Sequence, residues 1–346
     1  MALKDLKSMA IDEIKKEFSE SGYPTYRAKQ VYDWLYKGVE SFDEMNNIPK
    51  QFRNILKTKY EIRSAVIEKR LVSSYDETKK YLLRLNDGEF IESVLMKYKY
   101  GYSVCVSTQV GCKMGCSFCA TGKGGFLRNL YPSEILSQIQ TIQKRENIRI
   151  SHVVLMGMGE PLDNYDNVIK FLRLVSSDDG LNISARHISL STCGVVDKIY
   201  KLADEKLQIT LSISLHAPND TIRSKTMPIN RRWNINELLE ACRYYIKMTN
   251  RRISFEYALI SGVNDSDRCA YELSEKLKGL LCHVNLIPVN EVTETNYKKS
   301  NTARQENFKN ILAKNGLNAT IRRTLGKDIN ASCGQLRRNC KNEVEL

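Results

Sequence analysis

The chain has 346 residues, of which 42% are hydrophobic and 27% charged, with 53 Lys and Arg against 40 Asp and Glu. That is enough apolar material for a real core, which excludes a disordered tail, and the length suits one large α/β domain with an appendage or two to three smaller domains. The net charge of +13 is spread along the chain, so an electropositive surface has to be assembled by folding; it suits a phosphate-rich partner or a merely solvated basic surface. No run of about 18 apolar residues is present, so no membrane-spanning helix is expected. The opening Met1-Ala-Leu-Lys-Asp-Leu-Lys lacks a signal-peptide core. A reducing, cytoplasmic setting is therefore expected, with the ten cysteines as thiols or metal ligands and not as a disulfide framework.

Residues 1–60 read as helices. Ile11-Asp-Glu-Ile-Lys-Lys-Glu-Phe repeats apolar positions three to four apart, Gly22-Tyr-Pro breaks the pattern, and Arg27 to Tyr36 resumes it. Ile48-Pro49 marks another joint before Phe52-Arg-Asn-Ile-Leu. Tyr26, Tyr32, Trp34 and Tyr36 give this unit either an RNA-stacking surface or an aromatic core. From residue 61 the period changes. Lys80-Tyr-Leu-Leu-Arg-Leu and Phe90-Ile-Glu-Ser-Val-Leu-Met flank Asp87-Gly88, a β-hairpin with a tight turn at its tip. On this reading Glu92 is an exposed strand residue. A further strand, Ser103-Val-Cys-Val-Ser, leads into a cysteine-rich segment.

Beyond that point strands and helices alternate. The candidate strands are Val153–Met156, His187–Ser191, Ile209–Leu215, Ile253–Leu259, Val284–Ile287 and Ala319–Arg322. Helical stretches between them open with caps or first-turn prolines, as at Pro132 and Asn234. Such alternation predicts a parallel sheet, open or curled into a full or partial barrel, with its chemistry at the C-terminal strand ends. No sequence repeat or low-complexity linker interrupts it.

The candidate site residues fall at those ends. Cys112-Lys-Met-Gly-Cys116-Ser-Phe-Cys119 places three thiols in one loop. Three thiolates cannot close a tetrahedral zinc site without a distant fourth ligand, but they can hold three irons of a [4Fe–4S] cluster and leave the fourth open. Gly157-Met-Gly159-Glu160-Pro offers close backbone approach and an acceptor for an ammonium group. Ser191, the run Ser214-Leu215-His216, and Asn290 place polar groups at later strand ends. Cys333, beside Gly334 in Ala331-Ser-Cys-Gly-Gln-Leu, suits a thiol meant to react. Cys105, on the strand feeding the cysteine loop, can reach the same cavity. Cys193 lines the site by position, whereas Cys242, Cys269, Cys282 and Cys340 read as ordinary core or surface thiols.

The C-x3-C-x2-C spacing resembles that of radical S-adenosylmethionine enzymes. Gly101 to Gly122, Gly157-Met-Gly-Glu-Pro-Leu, Ser214-Leu-His-Ala-Pro, Met227-Pro-Ile-Asn and Ala331-Ser-Cys-Gly-Gln-Leu together resemble the RlmN family of adenine-C2 methyltransferases. The resemblance runs nearly end to end. It implies a partial (βα)6-type radical barrel over residues 101–346, a helix-hairpin-helix-like accessory domain over 1–60 and a β-hairpin extension over 61–100. It also implies that Cys112, Cys116 and Cys119 ligate one [4Fe–4S] cluster, and that Gly159, Glu160, Ser191, Ser214, Leu215, His216 and Asn290 contact S-adenosylmethionine.

In the mechanism so implied, Cys333 takes a methyl group from a first S-adenosylmethionine by displacement. An adenosyl radical from a second removes hydrogen from that S-methyl group, and the carbon radical adds to adenine C2. Glu92 corresponds to the proton acceptor, and Cys105 releases the product by forming a disulfide with Cys333. The implied substrates are one adenine of 23S rRNA at the peptidyl-transferase centre and the adenine 3′ to the anticodon in tRNA. A flavodoxin-type electron donor and a monomer are also expected. Two alternatives are a sister enzyme directed to C8 of the same ribosomal adenine and a noncatalytic zinc- or cluster-bearing RNA-binding protein.

Overall fold

The computed structural model describes residues 3–290 and 295–336. Cys340 and the Glu291-Val292 pair lie outside the described residues. Helices α1 (Ile11–Glu20), α2 (Thr25–Tyr36) and α3 (Lys50–Lys59) bury their periodic positions Ile11, Ile14, Phe18, Val31, Leu35 and Leu56 in one core, joined by Tyr60 and Ile62. Tyr32 belongs to that core, Trp34 donates through Nε1 to Asn47 (2.6 Å), and Tyr26 is exposed. The aromatic residues of this unit are therefore mostly packing, with Tyr26 left to face solvent. Gln140 Nε2 donates to the Leu35 carbonyl (3.0 Å) and Ser133 N to Ser8 Oγ (3.1 Å), fixing this unit against the helix Pro132–Glu146 of the main body.

The main body is built on one ten-stranded sheet whose spatial order follows the sequence. Its strands are β1 (Ala65–Val72), β2 (Lys79–Leu85), β3 (Phe90–Tyr98), β4 (Gly101–Cys105), β5 (Ile150–Leu155), β6 (Ile188–Thr192), β7 (Thr210–Ser214), β8 (Ile253–Leu259), β9 (Cys282–Pro288) and β10 (Ala319–Ile321). Strands β1 to β4 pair antiparallel, and β4 to β10 pair parallel. The expected hairpin is thus the middle of a meander. Strand β1 escaped the sequence reading because Glu68-Lys-Arg breaks its alternation, and a register shift between Ile67 and Lys69 marks the irregularity.

Helices α4 (Ala120–Lys123), α5 (Pro132–Glu146), α6 (Tyr165–Ser176), α7 (Val196–Asp204), α8 (Asp220–Thr226), α9 (Ile235–Thr249), α10 (Asp267–Leu277) and α11 (Thr302–Lys314) connect the parallel strands. Capping sets their ends. Pro132 opens α5, and Asn147 closes it in the left-handed region (φ 52°). Asn234 and Glu237 form a capping box at α9, which Asn250 ends in the same way (φ 53°).

The sheet curls without closing: no ladder joins β10 to β1 among the described residues. Residues 322–336 cross the gap instead. The Asp328 carboxylate accepts from Ser73 Oγ (2.7 Å) and from Ser74 N (2.7 Å), and Gly326 N donates to Asp76 (3.0 Å). At the other end of the crossing Ala120 N donates to the Gly334 carbonyl (2.8 Å). These bonds fix Cys333 over the C-terminal strand ends.

Candidate active site

The cysteine loop follows β4 through a short antiparallel pairing of Gln109–Gly111 with Phe126–Asn129. Gly111 makes the approach possible. Its φ is +77°, and a Cβ there would lie 1.9 Å from the Gly125 carbonyl oxygen, which accepts from Cys112 N (2.9 Å). Gly111→Ala is expected to cost about 2–4 kcal/mol and to lower the iron bound per chain. A denaturant midpoint and an iron assay on the purified variant check both.

Cys112, Cys116 and Cys119 line one cleft of about 970 Å³ counted to its open mouth. The other walls include Gly159, Glu160, Ser191, Cys193, Ser214, His216, Asn290 and Cys333. The parallel sheet brings these together, because each lies at or just beyond a strand's C-terminal end. Leu215 does not line the cleft. Its side chain is in the core, and its backbone N–H donates to the Glu256 carbonyl (3.1 Å).

Local geometry fixes each wall. Gly159 (φ +102°) lies against Gln109, whose Cβ would be 2.6 Å from an added methyl group. Glu160 is buried, and burial pushes its carboxyl upward against the backbone donors that favour its charge, Cys193 N (2.7 Å) and Leu162 N (3.0 Å). Ser191 Oγ and Ser214 Oγ are 3.3 Å apart. His216 adopts φ +54°, and its Nδ1 accepts from Ala258 N (2.9 Å), which places the proton of the neutral ring on Nε2. Burial, then the Arg223 charge, pushes the His216 ring down to about 3. His216 also meets Phe118 of the cysteine loop edge-on at 4.9 Å. Asn290 Nδ2 donates to the Cys333 carbonyl (3.0 Å).

A second chamber adjoins the first and shares Met156, Ile287, Asn290, Arg322 and Cys333 with it. Cys105 lies in this chamber, with Val94, Met96 and Tyr98 of β3. Cys333 therefore stands at the boundary between the three-cysteine cleft and the Cys105 chamber.

Glu92 corrects the expectation of an exposed strand residue. It is buried, and Oε1 meets Lys80 Nζ at 2.9 Å, with both side chains out of solvent. It shares the inward face of β3 with Val94 and Met96, since side chains alternate along a strand, but lines neither chamber. Lys80→Met would remove the cation paired with the buried Glu92 carboxylate and is expected to cost about 3–5 kcal/mol. Adding Glu92→Gln should restore most of that loss. Urea unfolding of the two variants is the measurement.

Among the wall residues that sequence reasoning did not single out are Met156, Glu256 and Arg322. Met156 directly follows β5 and its apolar residues, so nothing marked it as other than core. Glu256 is a lone charge inside the strand Ile253–Leu259, which is the signal that was there to find; Oε1 accepts from Ser254 Oγ and Asn285 Nδ2, both at 3.0 Å, and Oε2 is buried with no hydrogen-bond partner among the described residues. Arg322 follows β10 and faces both chambers, where the Cys333 charge, foremost, raises its pKa. Of the cysteines, Cys193 lines the cleft, and Cys242, Cys269 and Cys282 are buried among core side chains.

The donor set fits an iron–sulfur cluster. Burial, above all, pushes the Cys112 thiol up to about 12 and raises Cys116 as well, and neighbouring cysteines and Glu160 add to both shifts. Such thiols become ligands where metal cations offset the charge. No three His, Cys, Asp or Glu side chains among the described residues converge as a single-ion site requires. The Gly159 cradle and the unpartnered Glu256 oxygen suit a polar cofactor beside the cluster.

A half-open parallel barrel with three cysteines in the loop after its first parallel strand defines a radical S-adenosylmethionine enzyme. Residues 106–272 match the Radical SAM superfamily, and residues 4–62 match the ribosomal RNA large subunit methyltransferase N-terminal domain. The probable dual-specificity RNA methyltransferase RlmN of Clostridium tetani is 56% identical over 96% of this chain and 96% of its own length. That of Clostridium novyi is 54% identical over 97% and 98%. The crystal structure of a radical SAM methyltransferase from Sphaerobacter thermophilus superposes with a TM-score of 0.92 at 42% identity, covering 96% of this chain and 99% of that one. The chain belongs to the RlmN family of RNA methyltransferases.

Proposed function

We propose that this enzyme methylates C2 of adenine in 23S rRNA and tRNA through a methyl group carried on Cys333. The observation that supports it is the placement of Cys333 at the junction of the two chambers, within reach of a cofactor on one side and Cys105 on the other. Adenine C2 lies between two ring nitrogens and is too electron-poor to attack a sulfonium, so a polar methyl transfer cannot reach it directly. A thiolate can take that methyl group instead. The cluster with S-adenosylmethionine, two molecules per turnover, then supplies the radical chemistry that makes the S-methyl carbon reactive toward C2.

The chain's own residues do the rest. Cys112, Cys116 and Cys119 hold the cluster. Gly159, Glu160, Ser191, Ser214, Leu215, His216 and Asn290 seat S-adenosylmethionine, Leu215 by its backbone. Glu92, on the same face of its strand as the chamber residues Val94 and Met96, is the proton acceptor that the family resemblance implies for C2, and Cys105 attacks Cys333 to free the methylated base, leaving a transient Cys105–Cys333 disulfide. The target base has to leave its stack to enter, so the 1–60 unit and the basic surface grip the backbone, with 61–100 as an extension to the 101–346 core. A flavodoxin-type donor, a cytoplasmic setting and a monomer complete the reading. No helix among the described residues is long and apolar enough to cross a membrane. The relatives carry the RlmN name, and the C8-directed alternative is not carried forward.

Mass spectrometry of RNA from cells lacking the protein tests this. Loss of 2-methyladenosine from 23S rRNA and tRNA is the expected result. A missing methyl group that maps to C8, or an unchanged adenosine profile, overturns it.

A further inference from the structure

Arg223 lies in α8, a few residues beyond Ser214-Leu215-His216, and is wholly buried. Among the described residues its hydrogen-bond partners are all neutral. Nη2 donates to the carbonyls of Cys193 (2.6 Å) and Ser214 (3.4 Å), Nε to that of Leu215 (3.2 Å), and Nη1 to Asn230 Oδ1 (3.0 Å). Among the described residues no carboxylate forms an ion pair with it; Asp220 acts on it from one residue away, through Asn230. A buried cation left without a counter-ion is costly unless a charge nearby offsets it. Burial lowers the Arg223 pKa, and the charges that most oppose this are those of Cys193 and Cys116.

The same segment holds the cysteine loop. The Thr226 carbonyl accepts from Ser117 N (2.9 Å), between Cys116 and Phe118, and Gly115 backs onto the Pro228 ring. Asn230, of the Met227-Pro-Ile-Asn run, is fixed in turn by donating to Asp220 Oδ1 and Ser224 Oγ, both at 2.9 Å. Residues 219–230 thus tie three loops together: the cysteine loop, the loop after β6 and the loop after β7. The charged tip of Arg223 bonds two of them, the loops after β6 and β7, and holds Cys193, which lines the cleft with the cysteine loop.

We propose that Arg223 is the buried counter-charge of the iron–sulfur cluster, raising its reduction potential, and a positioning residue that sets the cofactor floor against the cysteine loop. This rests on the cluster reading above. An oxidised [4Fe–4S] core with three thiolates carries a net charge of minus one, and reduction adds another negative charge. A fixed cation in a low-dielectric wall favours that electron, and net charge around a cluster is one of the levers on its potential. Carbonyl partners preserve the field of Arg223, whereas a carboxylate partner would cancel it. Glu160, the buried carboxylate that accepts from the N–H of the same Cys193 whose carbonyl Arg223 holds, acts in the opposite sense on Cys112 and Cys116.

The test uses the full chain, reconstituted anaerobically, with iron content and circular dichroism measured for every variant. Two readouts are taken: the cluster midpoint potential by EPR-monitored titration, and equilibrium binding of S-adenosylmethionine. Arg223→Gln is expected to shift the midpoint to a more negative potential and to weaken binding about tenfold. Arg223→Lys keeps the charge but cannot span the Cys193, Ser214 and Leu215 carbonyls, so its midpoint should match wild type while binding weakens similarly. A wild-type midpoint in Arg223→Gln at full iron content overturns the proposal, as does a midpoint in Arg223→Lys shifted as far as in Arg223→Gln. If Arg223→Gln fails to fold, Arg223→Lys alone decides, because a shifted midpoint or unchanged affinity in it rejects the proposal. A wild-type chain that forms no [4Fe–4S] cluster sinks the functional reading itself, which is a separate outcome.

Discussion

Cys333→Ala is expected to abolish RNA methylation, with a fall of more than about a thousandfold, the scale on which removal of a covalent nucleophile acts. On the proposed route the methyl group passes through a sulfur, and Cys333 is the thiol that both chambers share. Its carbonyl is held by Asn290 and the neighbouring Gly334 carbonyl by Ala120 N, so the backbone can keep its place when the sulfur is removed. Iron content and cofactor binding should therefore stay near wild type. Mass spectrometry of the purified protein should find S-methylcysteine at position 333 in wild type. Methylated RNA from Cys333→Ala would show that the methyl group takes another route.

Cys105→Ala is expected to stop the enzyme after a single event, as a covalent protein–RNA adduct through Cys333. Turnover should fall below one per chain, and the adduct should survive denaturing electrophoresis until nuclease treatment. The structure adds a pH dependence. Burial, then the Cys333 charge, pushes the Cys105 thiol up to about 12, with Arg322 opposing. The attacking species is the thiolate, which is scarce at neutral pH and grows as pH rises toward that value. Decay of the adduct in wild type should therefore accelerate about tenfold per pH unit between about pH 7 and 9, measured by rapid quench. A flat profile would mean that Cys105 deprotonation does not limit release.

Much of this architecture is local enough to read from the chain. Alternation of apolar residues marks a strand, Pro132 and Asn234 announce helices, and Cys112, Cys116 and Cys119 sit close enough in sequence to be recognised together. Strand β1 was lost because charges on its outward face masked the period. Glu92 was misplaced for a related reason. A charged residue in a strand reads as solvent-facing until the partner strand is known, and here Lys80 on β2 is the partner that lets the carboxylate be buried.

The sequence by itself therefore determined the order of strands and helices, the loop positions where chemistry can lie and the grouping of Cys112, Cys116 and Cys119 in one loop, because each depends on residues near one another along the chain. The tertiary structure alone decided that residues 322–336 close the open side of the sheet, that Cys333 joins Cys105 in one chamber, and that Glu256, Arg322 and Arg223 bring charge to the site. Those depend on register between strands and on loops separated by a hundred residues or more. Side-chain period carries no information about which loop will lie against which. The net charge of +13 divides in the same way. Its total suits a phosphate-rich partner, but the buried positive charge beside the cysteine loop exists only once α8 packs behind it.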